Sequence, residues 1–471
     1  MDKKALKQRA LSLVDIPNHL KLELEDYTVE DNGEGEAMFA WANDEQEESI
    51  SISLDLDGKL TDLSIDLNKD VSEGPALSIL ERRQCAETFL NEHYPEALTV
   101  LSFYSSSSLS HVERFYYEQL VMDLPLPQAG CFIDVDSEGN IVRFAYNGIK
   151  PTPEIPTRLI EKETLKKDVE EKISLQPMIV ELYTDLHRVK QDGLRLVYDI
   201  EPFMEYKADV TDPTISIIHD QEETETYVDL PVQAAREQGD ITLESLIGIT
   251  DSMEVIRESD VGDETGIVWR EKGWEMEETD LSVVDFFKRR NDDTVKAFIS
   301  KQTGKVRSFI WFKEQQGTLN LSHEECYGRA IDFLQTAIPE YLPYMKLIVE
   351  NEREDDEEEL LKNSYVFTIQ NGNGVKVQFG FVMVTVNRTT GKVELYSGPK
   401  FDLEELKKIP SKPAISEQEA IRIFLERLDF KLEWEKDYES DDEVYNLVYK
   451  PYDRKTGESI RYIDVVTGDI I

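Results

Sequence analysis

Metal and acid–base chemistry would begin with histidine, and the chain has six: His19, His93, His111, His187, His219 and His323. None stands in HxH, HExxH or HxxxH spacing. His323-Glu324-Glu325 opens like a zinc-protease helix but lacks the second imidazole one turn on. Asp134-x-Asp136-x-Glu138-Gly139 mimics the start of a calcium loop, yet Ala145 holds the twelfth position, where a bidentate Glu belongs. Asp55-x-Asp57-Gly58 repeats the pattern, so both read as hairpin turns with solvated acids. Gly304-Lys305 and Gly391-Lys392 end like phosphate loops, but valine follows and the upstream glycine is missing. No GxGxxG follows a strand. No GxSxG elbow is present, and Ser105–Ser108 after Tyr104 reads as a polar loop. Carboxylates are too numerous for any pair to stand out as a glycosidase acid and base. No catalytic, cofactor-binding or metal-ligating residue is therefore named, and no cofactor is expected. Tyr116, Tyr117, Trp269, Trp274 and Trp311 lie in strand-like runs and read as sheet packing.

Charge narrows the partners. The 471 residues carry 97 Asp and Glu against 52 Lys and Arg, a formal net charge of −45. Nucleic-acid binding rests on cations that neutralise phosphates, and anionic lipid repels such a chain. Hydrophobic residues at 40% are enough to build cores. The basic start MDKKALKQRALSLVDI is followed by no apolar signal region, and no run approaches a membrane span. Cys85, Cys131 and Cys326 have no CxxC spacing and read as buried reduced thiols. These features favour the cytoplasm. The glycosylation-type triplets at Asn320 and Asn387 then count as chance.

The elements that would position any site are organised by repetition. Ser12-Leu-Val-Asp-Ile16 matches Ser245-Leu-Ile-Gly-Ile249, and each leads to a strand-like run ending in Trp41 or Trp269. Ala86-x-x-Phe89-Leu90-x-x-x-x-Pro95-Glu96 matches Ala330-x-x-Phe333-Leu334-x-x-x-x-Pro339-Glu340 with identical spacing. Leu196-Val-Tyr198 matches Leu447-Val-Tyr449. The order is the same each time, so the chain reads as two tandem halves split near residues 235–240.

A shorter signature recurs within each half: an apolar strand, a turn with glycine, then a second strand. It is centred on Gly58, Gly139, Gly304, Gly391 and Gly468, with a weaker copy at Ala208–Thr214 where Pro213 replaces glycine. Glycine supplies the positive φ of a tight hairpin. Apolar stripes precede several hairpins: Ile79, Ala86, Phe89 and Leu90; Ala330, Phe333 and Leu334; Ala420, Ile421, Phe424 and Leu425. Asp168–Ile173 is a poorer helix in the matching place. Ser416 and Glu419 have capping-box spacing. The expected units are 1–74, 75–150, 151–237, 238–320, 321–400 and 401–471. Glu271–Asp293 lengthens one hairpin, and Asn351–Asn363 is an acidic run expected to be a loop or exposed helix.

With these hairpins in register the chain resembles PepSY-type domains, and its six-unit, two-half plan resembles the YcdB/YcdC repeated-domain proteins of Bacillus-like bacteria. The resemblance implies an α+β fold: tandem PepSY-like modules, each a helix packed on a small antiparallel sheet, arranged as two duplicated halves. PepSY-like domains occur in peptidase propeptides and are proposed to inhibit peptidases or bind peptides. Relatives are often exported or carry wall-binding modules, neither of which is visible here. The family supplies no catalytic residues.

The expectation drawn is a non-enzymatic acidic scaffold that binds protein or peptide partners, basic ones by charge, through sheet edges or faces. It includes a role as a peptidase modulator. The alternative is a hydrolase with an asymmetric cluster between the halves. A weaker third reading is divalent-cation buffering by acidic loops.

Overall fold

Short helices open most of the repeated segments, and their caps explain where they start. Ser78 and Ser322 form complete capping boxes with Glu81 and Glu325. Ser416 accepts the Glu419 N–H, but the Glu419 carboxylate turns to Arg422, so only half of that box forms. The helices Ile79–His93 and His323–Ala337 stop before Pro95 and Pro339, as the ring demands. Each buries one residue and the residue a turn later: Leu6 and Ala10, Ala86 and Leu90, Leu165 and Val169, Ala330 and Leu334, Ala420 and Phe424. Ile79, expected on the same stripe, lies at the exposed first turn. The poorer helix runs over Lys162–Lys172, longer than its pattern suggested.

The computed structural model describes all residues except 30–32, 45–46, 69–75, 201–203, 210–214, 218–225, 232–240, 276–279, 350–360, 439 and 441–442. Most of the acidic run at 351–363 and the Pro213 turn fall outside the described residues. The molecule mixes helix with antiparallel sheet, in two repeated halves.

The first sheet runs, in spatial order, Lys21–Val29, Gly35–Ala42, Ser49–Asp55, Leu60–Asp66, Ile141–Gly148, Gly130–Asp136, Val112–Val121 and Leu101–Leu109. The second sheet repeats that order: Met253–Val261, Glu264–Glu271, Thr294–Ser300, Val306–Trp311, Val393–Ser397, Lys376–Asn387, Lys362–Gln370 and Met345–Val349. Even the irregularities repeat. The first strand pair shifts register between Leu22 and Leu24 in one half and between Val255 and Arg257 in the other. In each half two four-stranded groups join edge to edge, through Leu63 opposite Phe144 and through Phe309 opposite Tyr396. Joining removes two open edges, which are association hazards when left bare. The sheets therefore cross the boundaries expected near residues 74 and 320.

The third and last segments exchange hairpins. Gln176–Leu182 and Gly193–Asp199 pair with each other, and the latter then pairs with Tyr462–Asp464. Met204–Lys207 turns instead to Tyr445–Asp453, which pairs with Leu428–Lys436. Helix Lys162–Lys172 follows its later strands: Tyr206 Oη donates to Asp168, Tyr449 Oη to the Ile160 carbonyl, and Lys162 pairs with Asp429. Helix Glu417–Arg427 caps the other composite, where Glu417 accepts the Leu175 N–H and Tyr198 Oη donates to Ile415. Each composite thus takes its helix from one segment and its first two strands from the other.

Hydrophobic burial separates along the same lines. One core draws only on Leu6 to Phe144. The main core runs from Val121 to Val465 and takes in residues of both composites, while Val180, Leu182, Val197 and Ile471 form a small cluster of their own. Trp434 Nε1 donates to the Val121 carbonyl, tying the first sheet to the exchanged pair.

Candidate functional site

Of the acids in ligand-like spacing, Asp55 and Asp136 lock their turns. Asp136 Oδ1 accepts the N–H groups of Glu138 (2.9 Å) and Asn140 (2.8 Å), while Asp134 is buried in a bidentate pair with Arg114 at 2.6 and 2.8 Å. The same side-chain-to-backbone bond recurs at Asp55, Asn371, Asn387, Asp453 and Asp464, each followed by a glycine with positive φ. Asp and Asn close turns this way because their short side chains reach the N–H two residues on. These side chains are ordered by the hairpin rather than free in solvent, which sharpens the reading made from sequence. Gly304 and Gly391 sit in such hairpin turns too. Among the described residues no group of three His, Cys, Asp or Glu converges on one point. The histidines are scattered: His19 pairs with Glu48, His93 packs on Phe89, and His323 lies beside the Tyr365 ring. All three cysteines are free; Cys131 and Cys326 are buried, and burial pushes the Cys131 thiol up to about 12.

A cleft of about 890 Å³ lies between the exchanged pair and the second sheet, lined by Tyr183, His187, Arg188, Phe379, Lys400 and Tyr462 among others. Its polar groups largely satisfy one another. Arg188 pairs with Glu458, His187 Nδ1 accepts the Tyr183 N–H, and Tyr462 Oη donates to Gln378.

Two other features are better formed. The first is an open sheet edge. Ser105–Ser108 is not a loop, as expected from sequence, but the outer part of strand Leu101–Leu109, paired with Val112–Val121. Serine has little strand preference of its own, so tertiary pairing overrides it. This strand ends the first sheet, with Tyr104 and Leu109 exposed. The equivalent strand of the second sheet, Met345–Val349, is not an end. Thr226–Asp229, from the third segment, adds to it antiparallel.

The second feature is a cationic cluster in a strongly acidic chain. Arg257 and Lys296 both stand opposite Val268, on the two flanking strands, and Arg270 lies two residues farther along the middle strand on the same face. Helix Val283–Asn291, carried by the inserted segment, brings Arg290 to them. Trp274 stacks on Arg270 at 3.9 Å, Phe286 lies 4.2 Å from Arg290, and Phe312 lies 4.9 Å from the Lys296 ammonium. The end of the helix holds two of the cations: Arg270 donates to the Arg289 carbonyl and Lys296 to Asn291 Oδ1. Arg270 Nε is buried with no hydrogen-bond partner. Among the described residues no carboxylate forms an ion pair with Arg257, Arg270, Arg290 or Lys296. Desolvation first, then repulsion from Arg257, Arg290 and Arg270, pushes Lys296 below the usual lysine range.

The insert also joins the sheets, since the Glu25 N–H donates to the Leu281 carbonyl and Arg289 Nη2 to the Glu23 carbonyl. The loop-lengthening role expected for Glu271–Asp293 is thus only part of what it does.

The repeated sheet order has a counterpart in the comparisons with known proteins. A family model described as the YcdB, YcdC repeated domain matches twice, over residues 3–148 and 236–400. The chain belongs to that family. The uncharacterized protein YcdC of Bacillus subtilis strain 168 is 31% identical over 458 residues, covering 96% of each chain. YcdB of the same strain, also uncharacterized, is 32% identical over 473 residues, covering 97% of this chain and 98% of its own. The C-terminal domain of Bacillus megaterium YpeB aligns with 45% of this chain and 94% of its own, at 14% identity and a TM-score of 0.28.

Both family repeats correspond to one eight-strand sheet order, and the exchanged segments fall largely outside them. Superposing the registers shows what differs between copies. Where the second repeat has Arg257, Arg270 and Lys296, the first has Leu24, Ala42 and Ser51. Residue types alone could have flagged Arg289-Arg290 beside an insert, but Arg257 and Lys296 carry no sequence signal. Only strand register brings them together. Of the aromatics singled out from sequence, Tyr117, Trp269 and Trp311 are buried in cores, whereas Trp274 belongs to the cationic cluster.

Proposed function

We propose that this chain is a non-enzymatic scaffold that takes up an extended segment of a protein or peptide along strand Leu101–Leu109. The observation that carries this reading is the asymmetry between equivalent edges. In the second sheet Thr226–Asp229 fills the edge by antiparallel pairing; in the first no strand among the described residues pairs with the same edge. Strand addition supplies main-chain hydrogen bonds, with side-chain alternation for selectivity. The acidic field favours a basic segment by steering, consistent with a net charge of −45. A peptidase-modulating role is one form such capture could take. The helix-then-hairpin order of each segment supports a PepSY-like description of six units, and three unpaired cysteines fit a reducing compartment such as the cytoplasm. Among the described residues no helix is long and apolar enough to cross a membrane.

Ser110 and His111 form a two-residue turn, so Leu109 and Val112 make a bonded pair and alternation leaves the Ser108 and Ser106 N–H groups outward. Ser106→Pro removes one outward donor, which edge strands tolerate. The expected result is an unchanged melting temperature with loss of salt-sensitive partners in affinity capture read by mass spectrometry. Capture that is identical for both proteins, or no salt-sensitive partner for either, would refute the reading.

A further inference from the structure

We infer that Arg257, Arg270, Arg290 and Lys296 form a binding site for a compact phosphate-bearing small molecule. Four cations gathered from three strands and one helix, without a contact ion pair to an acid among the described residues, concentrate positive charge in a chain of net charge −45. The usual structural use of such arginines, pairing to carboxylates, is absent among the described residues. Guanidinium groups bind phosphate through paired N–H donors, and Arg270 Nε is a buried donor with nothing to bond. Arg257 and Lys296 sit two strands apart, about 9.5 Å between their backbones. Long side chains from those positions can converge on an anion between them.

The surroundings limit the ligand. Trp274, Phe286 and Phe312 wall the cluster with rings, giving the flanks of the site an apolar face for the remainder of an organic phosphate. Nearby acids act on it only through space: Asp293 and Asp292 attract Arg270, and Glu23 attracts Arg290, without a contact ion pair among the described residues. Asp293 instead accepts the Trp274 indole N–H at 3.0 Å, and Glu254, opposite Arg270 in register, forms no ion pair with it. The small size of the patch and the negative field around it disfavour an anionic bilayer, which would meet that field over a wide area.

The site exists in the second repeat alone, because the first has Leu24, Ala42 and Ser51 at the three strand positions. It also lies where the insert holds the two sheets together through Leu281 and Arg289. A bound anion would gather Arg290 and the strand cations and so steady that junction.

The test uses the full chain and pyrophosphate as probe, at matched ionic strength. Pyrophosphate is expected to give a saturable heat in calorimetry and to raise the melting temperature. The double variant Arg257→Leu, Lys296→Ser, which installs the residue types of the first repeat, is expected to bind roughly tenfold more weakly or worse while keeping its circular dichroism. Inorganic phosphate should compete, and tricarballylate should compete poorly. No saturable heat at millimolar pyrophosphate, or equal binding by the variant, would overturn the site. Tighter binding of tricarballylate would overturn its phosphate character. Association with phosphatidate vesicles without any response to pyrophosphate would overturn the soluble ligand.

Discussion

Expressed alone, residues 1–150 should fold and residues 241–471 should not. The first fragment keeps its whole sheet and a core drawn only from Leu6 to Phe144. It loses the Trp434 bond to Val121 and the insert contacts at Glu23 and Glu25, and it exposes Val121, Leu126 and Ala129. Those are rim contacts on a finished core. The second fragment retains its own eight-strand order but lacks four strands that complete the exchanged composites. Tyr462–Asp464 loses Gly193–Asp199, and Tyr445–Asp453 loses Met204–Lys207. Phe424, Phe430 and Ile463, all fully buried, then face water. Burying one such side chain contributes about 2 kcal/mol, so uncovering several removes a large part of a typical domain stability. A cooperative melt from residues 1–150 and aggregation from 241–471, rescued by adding back 151–240, is the expected pattern. Independent native-like folding of 241–471, seen as dispersed amide resonances, would contradict the exchange.

Asp453→Ala should cost about 3–5 kcal/mol, the range for breaking a buried ion pair from one side. Asp453 is fully buried at the end of strand Tyr445–Asp453. Its carboxylate takes both arms of Arg427 at the end of helix Glu417–Arg427, together with the Lys455 N–H and the Thr456 hydroxyl. It therefore ties helix end to hairpin turn, and its loss leaves a part-buried guanidinium without its partner. Burial opposes ionisation here, but the hydrogen bonds from Arg427, Lys455 and Thr456 outweigh it and hold the carboxyl down at about 2. The folded-state value lies below the ordinary 3.8, so its contribution is fully present above the unfolded value and is lost as pH falls through the folded one. About 2 kcal/mol of stability should disappear between pH 4 and pH 2 in urea titrations of the native chain. In Asp453→Ala that step should be missing; an undiminished acid transition would show that other carboxylates set it.

What could be read without coordinates was local. The helix start at Ser416, the stops before Pro95 and Pro339, and the hairpins at glycine all depend on residues a few positions apart. Spacing carries such information directly. The duplication was legible for a similar reason, since Trp41 and Trp269 recur at matching places in the order of both sheets. Ser105–Ser108 has loop composition and becomes a strand only through pairing with Val112–Val121, so no local pattern marks this edge. The hydrogen bonds of the turn acids form only once the turn is closed, so spacing alone does not show them.

The sequence by itself determined the two repeated halves, the mixed helix and strand content and an acidic surface, because these follow from composition and short-range periodicity. Tertiary structure alone decided which hairpin completes which sheet, which edge is left bare, and that Arg257 meets Lys296. Those outcomes depend on pairings between segments far apart in the chain. Strand partners at such distances are selected by the burial they share, and no local pattern records that choice.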